Sequence, residues 1–492
     1  MQVVKYIARK TVVVKHVGSA GSDQDLSLLR QAAFDWIQRR SGQKSLFPDL
    51  DSQKGEPAPR ESDSPVLILN QSELISTSSV FVYEELRKFC IKLGFTRGLR
   101  GHPGRELLLD LVVVRLIHPA SKLESLQYLQ DHFQITYARH FLYRQMLKWG
   151  TLKDDIEGQV VKFAKRRFDF DFRIVFYDVT TLYFETSKTD LELRQCGFSK
   201  DHKFNQPQLI IGLVVNEQGF PISYGIFPGN KFEGHTLIPV IESLRNRYHI
   251  KKFTVIADAA MISQDNIDQL VDKKLHYIVG ARLGNLSQKL IDQIDRELNR
   301  KDKATIRIST PRGFLICSFS DKRYRKDKHD TEKQIDKAKA AIQEPGKQKR
   351  LKFIFIKHSQ PKLNQKLIDK TRKLWGIKGY YTNLKKMSNQ KIIDQYQQLW
   401  NVEKSFRITK SDLQARPIYL RKTDAVKAHV LICFMALAIA MHMEIQSDMS
   451  VRKCIDLLKS VKDAKIKNQF DQIVTLRSKI PPDVENFLSL SH

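Results

Sequence analysis

The chain has 492 residues, long enough for two to four domains. Lys and Arg number 83 against 54 Asp and Glu, a net charge of +29, and the sequence pI is near 9.7. A hydrophobic fraction of 41% builds real cores, which excludes a disordered polybasic tail. The unbalanced charge calls for an anionic partner, either nucleic acid or an anionic membrane.

The membrane option is weak on length. The most apolar run, Val430 to Met441, is 12 residues, whereas a span needs about 20. His429 and His442 bound it, so a buried helix is expected. Residues 1–14 alternate charge with β-branched side chains, unlike a secretory signal. The five cysteines, Cys90, Cys196, Cys317, Cys433 and Cys454, have neither metal-ligand nor redox spacing, and an odd count argues against a disulfide framework. These features lead to the expectation of a reduced, cytoplasmic protein.

In chain order, residues 1–17 read as a strand pair. A helix follows to Arg39, capped by Ser22 or Asp23, and residues 42–65 form a loop rich in Pro, Ser, Asp and Gly. From Phe81 to about Arg167 the pattern is helical, with Arg105 to Ile117, Ser121 to Phe133, Arg139 to Trp149 and Leu152 to Arg166 set off by tight turns. Short helices with basic ends suit a helix-turn-helix reader of DNA or a plain helical bundle.

The middle of the chain carries more information. Arg173 to Tyr177 is a strand ending at Asp178. Gln208 to Val215 and Phe220 to Phe227 form a hairpin about Asn216-Glu217-Gln218-Gly219. A helix from about Gly234 to Tyr248 leads to a strand, Phe253 to Ala257, that ends at Asp258. A helix from Ser263 to Lys274 leads to the strand Tyr277 to Ala281. Three antiparallel strands, then two reached through helical crossovers, is the connectivity of a ribonuclease H-like fold.

Beyond it lie strands at Thr305 to Ser309 and Phe314 to Ser320, a helix near Thr331 to Gln343, and strands at Leu351 to Lys357 and Gly379 to Thr382. Residues 301–350 hold 15 Lys or Arg against 7 acids, either a DNA-facing surface or a solvated insertion. A helix spans Asn389 to Lys410, an apolar helix spans Ala425 to Glu444, and a basic helical tail ends the chain.

The first and fourth strands of that fold lie side by side, so the carboxylates of Asp178 and Asp258 are expected to converge. Two close carboxylates repel, and one protonates unless a cation intervenes. Mg²⁺ suits the site because it takes hard oxygen ligands and keeps room for phosphate oxygens. Two such ions, with Mn²⁺ as a substitute, can bracket an in-line displacement at phosphorus. The third acid is expected at Glu403. Tyr396, Glu403 and Lys410 are spaced by seven, near two helical turns, and Arg407 follows Glu403 by one turn. An ordinary Glu–Arg pair on a surface helix has the same spacing.

These residues resemble the DDE transposases of bacterial insertion sequences. Within the insertion-sequence-four superfamily the chain looks most like the branch named after insertion sequence sixteen-thirty-four. The resemblance rests on Tyr177-Asp178-Val179-Thr180-Thr181, Gly197-Phe198-Ser199-Lys200-Asp201-His202-Lys203, Phe227-Pro228-Gly229-Asn230, Glu233-Gly234-His235-Thr236-Leu237, Ala257-Asp258-Ala259, and the helix Tyr396 to Lys410 with Arg416-Pro417-Ile418-Tyr419 after it. It covers roughly Val17 to Met441.

The resemblance implies a catalytic, metal-binding triad of Asp178, Asp258 and Glu403. It also implies that Tyr396 and Lys410 hold transposon-end DNA, and that a β-rich insertion precedes Glu403. The family's signature Arg stands at Leu399 here, and Arg407 on the same helix is its stand-in. Lys404 joins Arg407 and Lys410 in gripping the cut end. Lys200 and Lys203 are further phosphate-binding types, while His202 and His235 serve phosphate or structure. Trp375 and Trp400 either stack on a base or fill a core.

The expected layout is a helical DNA-binding region at 1–167, a first core segment at 168–284, a basic β-rich insertion at 285–385, a second core segment at 386–445 and a helical tail at 446–492. The expected partner is double-stranded DNA, both transposon ends and target, bound by a homodimer, with no membrane involved and the protein associated with the bacterial nucleoid. A nuclease of the same fold that cuts without joining shares all these features, whereas the presence of all three acids argues against an inactive DNA-binding relative.

Overall fold

The computed structural model describes residues 1–7, 10–21, 23–41, 71–198, 205–251, 253–261, 263–311, 313–343, 351–357, 360–468 and 471–491. The loop expected at 42–65 lies outside these residues. The chain forms two compact units, Met1–Phe81 with Lys459–Pro482, and Val82–Leu458 with Asp483–His492.

In the smaller unit, strands Gln2–Ile7 and Lys10–His16 pair antiparallel. The helix Asp23–Ser41 packs on them through Val3, Val17, Leu29 and Ala33. The same unit contains a three-stranded sheet in which Asp463–Lys467 pairs with both Glu73–Ser78 and Ile473–Arg477. The tail is therefore not all helix as expected. Asp463, only 1% exposed, is the anchor that composition conceals. It accepts from Arg477 Nε at 2.7 Å and from the Phe81 N–H at 3.2 Å, which holds the local chain extended.

The larger unit begins within α1 (Val80–Lys92) and continues with α2 (Arg105–Ile117), α3 (Lys122–Phe133), α4 (Arg139–Trp149) and α5 (Lys153–Phe168). In α2 every residue from Leu107 to Ile117 is buried. That helix is the centre of a layer, not a reader of a DNA groove. Asp110 within it accepts from the Tyr83 and Tyr137 hydroxyls at 2.7 and 2.6 Å and pairs with Arg87 at 3.1 Å, so its charge is satisfied. On α4 the exposed side chains His140, Arg144 and Lys148 recur every four residues and form a basic stripe.

An eight-stranded sheet follows. Its strands are β1 (Ile174–Tyr183), β2 (Gln208–Val215), β3 (Pro221–Pro228), β4 (Thr254–Ala257), β5 (His276–Ala281), β6 (Thr305–Thr310), β7 (Gly313–Phe319) and β8 (Ile377–Thr382). Their spatial order is β3-β2-β1-β4-β5-β8-β7-β6. β1–β4 and β4–β5 are parallel and the other pairs antiparallel. Helices α6 (Leu237–Tyr248) and α7 (Gln264–Asp272) make the crossovers into β4 and β5. β2 and β4 are buried at every position, as near-continuous apolar strands covered on both faces must be. The expected run of strand, strand, strand, helix, strand, helix, strand is present, with β1 adjacent to β4.

The segment between β5 and β8 differs from a separate β-rich insertion. Its first hairpin, β6–β7, continues the main sheet through β8. The remainder is mixed: a helix Gln288–Glu297 ahead of that hairpin, a long helix α8 (Asp321–Gln343), a hairpin of Ile354–Lys357 with Gln360–Leu363, and a short helix Gln365–Lys373. It has its own small core of Ile335, Ala338, Phe353 and Ile368. Arg307 on the outermost strand donates to Asn389 Oδ1 at 2.9 Å and to the carbonyls of Lys385 (3.0 Å) and Met387, tying the hairpin to the chain entering α9 (Asn389–Gln397). After α10 (Trp400–Arg407) comes α11 (Thr423–Ser447), the apolar helix, which is long enough to cross a membrane. Of its apolar window, 94% is buried inside the protein, where it packs on α2 and α4.

Candidate active site

The parallel ladder between β1 and β4 runs from Ile174↔Thr254 to Tyr177↔Ala257. Asp178 and Asp258 are each the next residue. They stand level on neighbouring strands whose backbones lie about 4.8 Å apart. β1 does not end at Asp178 as expected. Val179 to Tyr183 are β-branched or aromatic for the most part and continue the pairing with β2. Asp178 is half-buried, and its Oδ1 accepts from the Val179 N–H at 2.8 Å. Asp258 is exposed.

The alternation of β1 puts Tyr177 on the opposite face, wholly buried, with its hydroxyl donating to Thr236 Oγ1 at 2.8 Å. The Glu233-Gly234-His235-Thr236-Leu237 segment is thus the turn that braces β1 from behind. His235 is exposed, edge-on to Phe232 at 5.3 Å. The two glycine motifs also meet. A Cβ at Gly197 would overlap the Gly229 carbonyl, and one at Gly229 would overlap the backbone of Gln208 and Gln195. Gln208 Nε2 donates to the carbonyls of Phe198 (2.8 Å) and Gly229 (3.2 Å) at this crossing. Lys200, His202 and Lys203 lie outside the described residues.

Tyr396, buried on α9, donates its hydroxyl to Asp258 Oδ1 at 3.1 Å. Gly280 on β5 makes room for it, since a Cβ there would overlap the Tyr396 hydroxyl. Burial, and then the charge and hydrogen bond of Asp258, hold the Tyr396 phenol well above its usual range, with a smaller push from Asp178. It is a neutral donor at neutral pH. The Tyr380 ring meets it at 4.9 Å edge-on, and Lys378 Nζ lies 4.7 Å from its centroid. Burial and the nearby Arg323 pull the Lys378 ammonium down, while the carboxylates of Asp258 and Glu403 pull it up. Lys378 therefore lies within the field of both acids. Sequence reasoning missed it; the signal was a lone cation inside the apolar strand Ile377-Lys378-Gly379-Tyr380.

The expected single helix from Asn389 to Lys410 is broken into two. The N–H groups of Gln398, Leu399, Asn401 and Val402 bond three residues back, which tightens the turn between α9 and α10. Tyr396 thus points into the core while Glu403 and Arg407 are exposed together on α10. Leu399 is 6% exposed, so its side chain packs inside, where an apolar residue fits. Lys404 is engaged elsewhere, paired at 2.8 Å with the buried carboxylate of Glu444. Lys410 is half-buried in a π-helical turn, Ile408–Asp412. Trp375 is a buried residue whose indole N–H donates to Thr331 Oγ1 at 3.0 Å. Trp400 is 55% exposed, with Lys404 Nζ at 6.0 Å from its ring.

A cleft of about 460 Å³ opens beside Asp258. Asp258, Tyr396, Lys378 and Trp375 line it, together with Arg323, Asp327 and Asp330 of α8. The level pair Asp178 and Asp258 offers hard oxygen donors suited to a divalent cation. Among the described residues no three acids, His or Cys are grouped closely enough to hold an ion.

No curated protein matches the chain. Among solved structures it is similar to the piggyBac transposase synaptic complex with hairpin DNA, at 10% identity and TM-score 0.37 over 77% of this chain and 70% of that one. It is also similar to the Mos1 transposase paired-end complex with the left transposon end, at 16% identity and TM-score 0.16 over 50% of this chain and 66% of that one. The family model of the transposase DDE domain matches residues 169–439, the stretch that contains β1 to β8, both aspartates and Glu403. The chain therefore belongs to the DDE transposases.

Proposed function

We propose that the protein binds the terminal inverted repeats of an insertion sequence, cleaves at its ends and joins the freed 3′ hydroxyl to target DNA. The observation that carries this reading is the level placement of Asp178 and Asp258 beyond the parallel ladder, with Tyr396 of the third-acid segment bonded to Asp258. The β1 to β5 part is read as a ribonuclease H-like core, and the family branch as that of insertion sequence sixteen-thirty-four. The domain limits given above, a homodimer on DNA and a bacterial cytoplasmic setting belong to the same proposal.

Each chemical step is an attack by a water or a 3′ hydroxyl on a phosphodiester, with the displaced oxygen leaving as a hydroxyl. No covalent enzyme intermediate is required. Asp178 and Asp258, with Glu403, would hold the Mg²⁺ or Mn²⁺ ions, whose charge stabilises the attacking and leaving oxygens. Tyr396 orients Asp258 by its hydrogen bond. Lys378 offsets the negative charge shared by Asp258 and Glu403. Arg407 and Lys410 would contact phosphates of the bound end, and the exposed stripe on α4 supports a role for the helical layer in holding flanking duplex.

Asp178→Asn, Asp258→Asn and Glu403→Gln test the reading. Each is expected to abolish Mg²⁺-dependent cleavage of a duplex carrying the element's end while leaving end binding and the melting temperature near wild type. Wild-type cleavage in any one removes that residue from the triad. Pre-cut ends supplied to the wild type separate joining from cutting, and failure to join would make the protein a nuclease.

A further inference from the structure

A second cavity, of about 450 Å³, lies in the helical layer away from the acids. Arg115, Lys122 and His429 line it, each less than a tenth exposed. His429 Nε2 meets the Ala415 carbonyl at 2.9 Å, so that nitrogen carries the proton. Nδ1 is then left to accept from Lys122 Nζ at 3.3 Å. Arg115 donates from Nη1 to the Leu413 carbonyl at 3.4 Å, and its Nε is buried with no hydrogen-bond partner among the described residues.

Among the described residues no carboxylate pairs with Arg115 or Lys122. Glu124, an acid on the cavity wall, is exposed and bonded to His118 at 3.0 Å. Burial, and then the charge of Arg115, pull the Lys122 ammonium well below its usual range. Two buried basic groups side by side without a counterion are a costly arrangement for a core to maintain. An anion with several acceptor oxygens would satisfy both, together with the unused Arg115 N–H. The mouth opens to solvent between Tyr143, Leu123 and Tyr419, all exposed.

We propose that this cavity is a phosphate-binding site, and that the phosphate it takes is carried by a DNA strand. Ile418 on its wall bridges to Phe184, six residues along from Asp178. Six extended residues span about 20 Å. A duplex rises about 3.4 Å per base pair along its axis, so that span corresponds to roughly six base pairs between the cavity and the acids. The aromatic rim suits the sugar and base attached to such a phosphate. The site itself rests on the cavity alone; only the identity of the strand rests on the transposition reading.

The test uses the full chain, inorganic phosphate and a duplex of the element's end. Lys122→Met removes a buried cation. Tyr419→Glu adds a carboxylate at the exposed mouth, where it leaves the fold intact. At constant ionic strength, phosphate should raise the wild-type melting temperature beyond the rise seen in either variant. The log–log salt slope of duplex binding should fall by about one in both. A phosphate effect lost in the variants with an unchanged DNA slope would keep the site but assign it to free phosphate. The same phosphate response in wild type and Tyr419→Glu, with the same DNA slope, overturns the proposal. The phosphate arm reads out even if the protein neither cuts nor joins DNA.

Discussion

Gly280 and Tyr396 define one sharp test of how the site is built. A Cβ at Gly280 would overlap the Tyr396 hydroxyl, yet would lie 3.2 Å from Tyr396 Cζ and from the Ala259 Cβ. The ring cannot step aside easily, because Tyr380 and Lys378 lie against it. Gly280→Ala therefore forces the phenol off Asp258. Overpacking of this kind costs about 1–3 kcal/mol. The lost hydrogen bond to a carboxylate would add about 1.5–3 kcal/mol if buried, and roughly 1 kcal/mol here because Asp258 is exposed and water can replace the donor. Gly280→Ala should thus destabilise by about 2–4 kcal/mol and Tyr396→Phe by about 1 kcal/mol. In the double variant the clashing oxygen is gone, and the remaining 3.2 Å contacts yield by a few tenths of an ångström. The double cost should be about 1–2 kcal/mol, a coupling of at least about 1 kcal/mol. Urea unfolding of the four proteins measures it. Simple additivity would show that the phenol is not seated against Gly280, and the account of Asp258 positioning would fail with it.

Lys404→Ala should lower stability by about 1–3 kcal/mol, since it leaves the buried Glu444 Oε2 without its cation while Oε1 keeps the Val451 N–H; its DNA salt slope should match wild type, and a reduced slope would return Lys404 to the DNA contacts. Burial holds the phenols of Tyr83, Tyr137, Tyr177 and Tyr396 above their ordinary value. Above about pH 10 the unfolded chain loses phenolic protons that the native chain keeps, so stability is full below that pH and falls as pH rises. Urea midpoints that stay flat well beyond about pH 10 would mean these phenols ionise in the folded protein. Cys196 is exposed while Cys90, Cys317, Cys433 and Cys454 are buried, and burial pushes the Cys90 and Cys317 thiols up to about 12. A thiol reagent should label Cys196 rapidly and the others only in denaturant; rapid labelling of a Cys196→Ser variant would contradict the burial.

Much of this was legible in the sequence because it depends on local pattern. The apolar strands before Asp178 and Asp258, the hairpin at Gly219 and the buried length of α11 all follow from hydrophobic period and turn chemistry. Their convergence followed from topology, since parallel neighbours set level residues side by side. The rest depends on contacts the chain makes at long range. Lys378 and Gly280 matter only because Tyr396 comes to lie against them. Lys404 reads as a phosphate ligand, and its ion pair with Glu444 is invisible at that level. Leu399 reads as a missing Arg until the turn between α9 and α10 is seen to direct it inward. Asp463 reads as helical tail until Arg477 and the Phe81 N–H claim its carboxylate.

The hydrogen-bonded continuity of β5, β8, β7 and β6 has a mechanical consequence. The hairpin β6–β7 cannot swing over the acids as a lid without breaking ladder bonds and the three-way grip of Arg307. With the β5 and β8 wall of the cleft fixed, a duplex bound as proposed above would have to bend to it. Curving 20–30 base pairs costs roughly 1–6 kcal/mol and depends on the steps being bent. A rigid sheet would then favour element ends rich in flexible pyrimidine–purine steps, a preference imposed by stiffness at positions no side chain touches.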